Sequence, residues 1–496
     1  MKTVIRCVAS GVLSVFAAWL LTSGSVAVNI EAAGSCEALT SLKLPAATIT
    51  AAKTEGDACQ VSATLTPSSD SDIKMEIWMP VSKWNGKYQA VGNGAFNGTI
   101  NYGAMKTALS RGYAVSSTDT GHTGGSASFG LGHPEKVTDF GWRAVHETAN
   151  VSKAIIAAYY GGAPKYSYFN GCSAGGRQAM KEAQRFPADF NGIIAGAPGL
   201  DWTGRAASAN RLAKPLEQNE AARLGAAQRQ LLHAAVLDSC DVLDGVKDGV
   251  LENPKKCTFD PGVLECKGAD GPSCLTTPQV ETARMMYSDA VNPKTKRVIH
   301  GQARGSELGW TDLGWTASAR STGVEQFRFL TFGDPNWTLQ KFNFETDIVL
   351  AEERDKDTIN ALDPNLAPFL SRGGKLIQYH GWSDPQISPA GTTQYYERVV
   401  HALGGRNKVH DGYRLFMAPG MGHCSGGDGP NTFDMVAALE RWVEAGVAPD
   451  HVPASITRPS ANLNRSRPLC PFPEVAVYKG SGSTDDANNF ACRLEK

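Results

Sequence analysis

Short apolar runs separated by amphipathic stretches organise most of this chain. Ile73 to Met79 alternates apolar and polar positions and then meets Pro80, the period-two pattern of a strand buried on one face. Lys87 to Val91 follows as a second strand, and strand-like runs recur at Tyr113 to Ser117, Tyr166 to Asn170, Ile193 to Ala195, Lys375 to His380 and Tyr413 to Met417. Helical periodicity falls between several of them, as in Val145 to Tyr160 and Arg177 to Arg185. Strands alternating with helices predict an α/β fold whose mostly parallel sheet is covered by helices. From about Trp202 to Ser371 the alternation is lost. That segment holds an Ala/Gln/Leu-rich helix, four cysteines, an Asp/Gly loop and many aromatics, and it reads as an insertion packed on the core as a lid. The expected division is 28–201 and 372–496 for the two parts of the core and 202–371 for the lid.

The first residues depart from this pattern. Lys2 and Arg6 precede an apolar run from Val8 to Leu21 and small residues ending at Ala27, which reads as a signal peptide, 1–27, removed on export to the periplasm or the medium. The run falls short of the ~20 residues that span a bilayer, so no membrane association is expected after cleavage. With 48 basic and 49 acidic residues and no basic tract, net charge points to no nucleic-acid partner. Removing Cys7 leaves ten cysteines, an even set suited to disulfides in an exported chain, and no C-x-x-C pair favours zinc. Neighbours in sequence pair as Cys36–Cys59, Cys240–Cys257, Cys266–Cys274 and Cys470–Cys492, which leaves Cys172 for Cys424.

Gly171-Cys172-Ser173-Ala174-Gly175 follows a strand and opens a helix, the setting in which G-x-S-x-G presents a nucleophilic serine. Glycines suit that turn because side chains there collide with the adjacent elements. The helix start also offers a positive dipole end and free amides to a developing oxyanion, Ala174 N–H first among them. A serine hydroxyl needs a histidine to take its proton and an acid to hold the histidine's tautomer. Asp384, in the tight loop after Lys375 to His380, fits the acid. His423, in the Gly-rich loop after Tyr413 to Met417, fits the base, with His380 at a strand end and His146 in a helix as rivals. Cys172 precedes the serine and Cys424 follows the histidine, so their bond would tie nucleophile to base.

Cys172-Ser173, the later Asp384 and the final His423-Cys424 resemble the tannase/feruloyl esterase family. So do Trp84-Asn85-Gly86-Lys87, Gly92-Asn93-Gly94, Asp139-Phe140-Gly141-Trp142-Arg143, Gly196-Ala197-Pro198, Phe327 to Leu330 and Asp334 to Trp337. The resemblance covers most of the chain after the signal, and it implies an α/β-hydrolase core beneath a lid and a disulfide joining the two catalytic neighbours. Gly94 is the candidate for a second oxyanion amide, although relatives often carry glycine where this chain has Ala95, and a plain tight turn is the other reading.

Asp241 to Val250 repeats carboxylates with glycines, and such oxygen-rich loops suit Ca²⁺; a solvated acidic turn pinned by Cys240 and Cys257 is the alternative. The resemblance implies a structural calcium held by Asp241, Asp244, Val246, Asp248 and Val250, and no organic cofactor. Trp310, Trp315, Phe327, Phe329, Phe332 and Trp337 crowd the later lid, where one or two rings are expected to reach an aromatic substrate and the rest to form the lid's core. The expected function is a secreted serine esterase acting on small aromatic, phenolic-acid esters through an acyl-enzyme. Feruloyl esters come first, with galloyl esters and mono(2-hydroxyethyl) terephthalate next, a ranking that rests on the resemblance alone. From other classes, a peptidase and a non-catalytic, calcium-stabilised phenolic-binding protein remain.

Overall fold

The computed structural model describes Met1 and residues 34–313 and 321–495. Apart from Met1, the expected signal peptide lies outside the described residues, as does Trp315. A nine-stranded sheet forms the centre. Its strands are β1 (Ala47–Glu55), β2 (Ala58–Leu65), β3 (Ile73–Pro80), β4 (Lys87–Val91), β5 (Ala114–Thr118), β6 (Tyr166–Cys172), β7 (Gly192–Gly196), β8 (Lys375–Gly381) and β9 (Tyr413–Ala418). They lie in the order β1-β2-β3-β5-β4-β6-β7-β8-β9. From β5 to β9 every neighbouring pair is parallel, while β1, β2 and β3 join antiparallel at one edge. This is the mostly parallel, α/β-hydrolase-like arrangement.

Adjacent residues on the central strands serve opposite faces, which explains why those strands read as apolar runs. Phe169, Ile193, Leu376 and Leu415 face one way, against helices α2 (Ala144–Tyr160), α3 (Ala174–Arg185) and α8 (Pro389–Ala402). Tyr168, Ile194, Ile377 and Phe416 face the other, against α1 (Tyr102–Ser110) and α9 (Met435–Ala445). The strand expectations coincide with these elements to within a residue or two, and α3 starts three residues earlier than its apolar period because its first turn is the small-residue stretch Ala174 to Gly176.

Between β7 and β8 the chain leaves the sheet and forms α4 (Trp202–Gln218), α5 (Ala226–Cys240), α6 (Thr277–Tyr287) and α7 (Phe344–Asp355). These helices bury their own apolar residues in two clusters, one around Leu232, Val236, Val280 and Trp310, the other around Ala207, Phe327, Trp337 and Ile348. After α9 two hairpins end the chain: β10 (Val452–Arg458) with β11 (Leu463–Leu469), and β12 (Glu474–Tyr478) with β13 (Phe490–Leu494). Disulfides join Cys36 to Cys59, Cys172 to Cys424, Cys240 to Cys257, Cys266 to Cys274 and Cys470 to Cys492, the pairing expected from spacing.

Candidate active site

Three loops at the carboxyl ends of parallel strands converge, as ligand sites in such sheets do. Ser173 stands between β6 and α3 with φ +64°, a left-handed conformation that a serine holds only under constraint. The constraint is backbone packed on backbone. A Cβ on Gly171 would lie 2.5 Å from Gly175 O, and one on Gly92 would lie 2.5 Å from Gly175 Cα. A Cβ on Gly176 would lie 2.2 Å from Gly196 O. Side chains at these positions would push α3 off the sheet and carry Ser173 with it.

His423 follows β9, and its Nε2 lies 2.9 Å from Ser173 Oγ. Its Nδ1 lies 2.7 Å from Oδ2 of Asp384, which follows β8. The three residues named from sequence are therefore brought into one hydrogen-bonded chain. Asp384 is fully buried, and Gln386 N–H at 2.7 Å and Ile387 N–H at 3.0 Å donate to its Oδ1. Burial alone would raise its carboxyl, yet hydrogen bonds from His380 and His423 outweigh it and hold the group well below the ordinary carboxylate range. The Cys172–Cys424 disulfide, with α-carbons 6.0 Å apart, flanks serine and histidine together.

Residues 59–493 match the family model for tannase and feruloyl esterase. The chain belongs to the tannase and feruloyl esterase family. An uncharacterized esterase of Xanthomonas campestris pv. campestris is 36% identical, covering 95% of this chain and 93% of that protein. Feruloyl esterase B of Aspergillus niger is 31% identical over 88% of this chain and 87% of its own length. The crystal structure of feruloyl esterase B from Aspergillus oryzae matches with a TM-score of 0.87 at 28% identity, covering 92% of this chain and 99% of that one. This family member is a carboxylic ester hydrolase.

The rest of the esterase's site explains the segments that carried the resemblance. Arg177, fully buried in the first turns of α3, donates to the carbonyls of Gly141 at 2.7 Å, Phe140 at 3.1 Å and Ile359 at 3.1 Å. Burial pushes its guanidinium down to about 10. The Asp139 to Arg143 segment thus anchors the serine helix, a role sequence reasoning missed because the partners are carbonyls. Gln178 Oε1 accepts from Asn93 N–H at 3.1 Å and ties α3 to the turn after β4. Gly94 lies in that turn, closed by Asn97 N–H on Gly94 O at 2.8 Å, and Ala174 is the first residue of α3.

The rival histidines part company. His146 Nδ1 lies 2.6 Å from Asp189 and its ring stacks on Phe186, away from the chain of three. His380 is wholly buried and bonds Asp384, so it sits behind the acid. Of the inserted segment's rings, Trp310, Phe327 and Trp337 lie in its own clusters and Phe332 is over a third exposed. Phe329 alone among these packs on the cluster that holds Ala174, Phe96, Phe140 and Trp202.

The acidic loop lies beside the C-terminal hairpins. Asp241 accepts from Gly249 N–H at 2.9 Å, and Asp244 accepts from Val246 N–H at 2.9 Å and Glu252 N–H at 3.1 Å. Burial, with the charges of Asp248 and Asp241, pushes the Asp244 carboxyl up to about 6 against those amides. Asp248 also meets Arg465 and Arg467 of β11. Asp244, Val246, Asp248, Val250 and Glu252 line one small cavity. Three carboxylates, Asp244, Asp248 and Glu252, on one cavity are the donor chemistry of a hard divalent cation and fit calcium, whereas Asp241 does not line that cavity. Glu252 was not foreseen, since it lies beyond the repeating Asp/Gly unit.

Proposed function

We propose that this enzyme hydrolyses esters of phenolic acids, feruloyl esters first, by an acyl-enzyme mechanism with Ser173 as nucleophile, His423 as base and Asp384 as orienting acid. The hydrogen-bonded chain from Ser173 through His423 to Asp384 carries the reading. Ser173 Oγ attacks the ester carbonyl carbon as His423 Nε2 takes its proton, and the amides of Ala174 and Gly94 receive the oxyanion. His423 returns the proton to the departing alcohol. It then deprotonates a water, whose attack releases the acid and restores the serine. Asp384 balances the imidazolium in both halves. Phe329 supplies the ring that an aromatic acyl group would meet, and the segment 202–371 acts as the lid that brings it there. The relatives named feruloyl esterase B support the ferulate preference.

The test is kcat/KM for methyl ferulate, methyl gallate and mono(2-hydroxyethyl) terephthalate measured side by side. Methyl ferulate is expected to lead by about tenfold or more, the scale of a few fitted contacts. Equal rates on all three would remove the narrow assignment, and a lead for gallate would move the enzyme to the tannases.

Export with cleavage near Ala27 belongs to the same reading. It is supported by the oxidised cysteines. So does a structural calcium on Asp241, Asp244 and Asp248 with the Val246 and Val250 carbonyls. The ion would neutralise clustered carboxylates. Calcium at about a hundred times its Kd adds about 2.7 kcal/mol to stability, so the melting temperature in EGTA should fall by about 3 to 5 °C. Asp244→Asn should melt alike in EGTA and calcium. Identical melting of the wild type in both would reject the site.

A further inference from the structure

Asp384 holds two histidines on one oxygen. His423 Nδ1 lies 2.7 Å and His380 Nε2 lies 2.9 Å from the same Oδ2, while two backbone amides occupy Oδ1. The partners of His380 fix the proton on Nε2. Nε2 faces Oδ2 and, at 3.1 Å, the Ile387 carbonyl; both accept only, so Nε2 carries a hydrogen and donates. Nδ1 lies 2.7 Å from Thr392 Oγ1 of α8. Among the described residues, the other titratable or charged groups facing this carboxylate are His423 and Arg205 of α4, which donates to Gln386 O and Thr322 Oγ1.

We propose that His380 is a positioning residue for ester hydrolysis, a second donor that aims Asp384 Oδ2 at His423 and shares its charge. The inference rests on the Ser173–His423–Asp384 reading. An oxygen serving His423 alone would concentrate its charge on Nδ1–H and make the imidazolium easier to form before substrate arrives. A protonated His423 cannot accept the serine proton. The second donor draws off part of that charge. The same bond, backed by Thr392, stops the carboxylate from rotating.

The experiment compares wild type, His380→Leu and His380→Gln on methyl ferulate; glutamine keeps an N–H donor near the position of Nε2. His380→Leu is expected to lower kcat about tenfold to a hundredfold with KM little changed, as a misaimed base does. It should also move the acid limb of kcat/KM up by about one pH unit, the titration equivalent of a charge-assisted hydrogen bond. His380→Gln should return the limb toward wild type and recover most of kcat. A merely structural role would lower the melting temperature and leave the acid limb in place. Superimposable limbs in all three, with Ser173→Ala inactive, overturn the proposal; an active Ser173→Ala overturns the triad reading instead. If His380→Leu does not fold, Thr392→Val serves in its place: it loosens the ring from behind and should move the limb the same way, and an unmoved limb overturns the proposal.

Discussion

Replacing Ser173 by alanine is expected to cut kcat/KM for methyl ferulate by about 10⁴-fold or more. The loss is that large because serine, histidine and acid act as one unit, and removing the attacking oxygen leaves the other two nothing to activate. Some rate over water should survive, because the proposed oxyanion amides of Ala174 and Gly94 do not depend on the serine side chain. Stability should hardly change. Alanine and serine meet the same strain at φ +64°, and the Ser173 N–H bond to Gly196 O at 3.0 Å belongs to the backbone. Equal melting temperatures with activity lost place the effect in the chemistry. Activity within tenfold of wild type would mean that another group attacks the ester.

Removing the Cys172–Cys424 bridge as Cys172→Ala/Cys424→Ala is expected to have the largest effect on stability. The bridge closes a separation of 252 residues, against 23, 17, 8 and 22 for the others. The chain-entropy model assigns a loop of that length about 5 kcal/mol, an upper figure because the native contacts also change. A fall of about 5 to 10 °C in melting temperature is expected for a domain of this size. Activity should fall further than stability alone explains. The bridge holds the end of β6 to the loop after β9, with β7 and β8 between them in the sheet, and so sets the 2.9 Å from His423 to Ser173. A slip of about 1 Å there costs about a hundredfold in kcat. Wild-type kcat in the double variant would reduce the bridge to a staple.

The site was legible in sequence where its logic is local. Ser173 announces itself by small residues between a strand and a helix, and Asp384 and His423 each stand just past an apolar run. Pairing the cysteines needed only their spacing. What stayed hidden depends on contacts distant in sequence. Arg177 finds its carbonyls 36, 37 and 182 residues away. His380 is only four residues from Asp384, but its role depends on the loop folding back and on Thr392 arriving from α8. Strand β1 escaped notice because it is an edge strand with Ile49 as its one buried residue and so lacks the alternation of a half-buried strand; β2 was missed although Cys59, Val61, Ala63 and Leu65 alternate with Gln60, Ser62 and Thr64. The C-terminal hairpins escaped as well, and with them the two arginines that meet Asp248.

Those arginines give the order of synthesis a consequence. Asp248 is made 217 residues before Arg465 and 219 before Arg467. At about 5 to 20 residues per second the acidic loop waits on the order of ten seconds or more for its cations. Asn253 waits longer still, 242 residues, for Glu495 at the far end. A nascent chain stopped short of Arg465 would already carry Ser173, Asp384 and His423, yet its Asp248 would face burial with neither arginine to meet it.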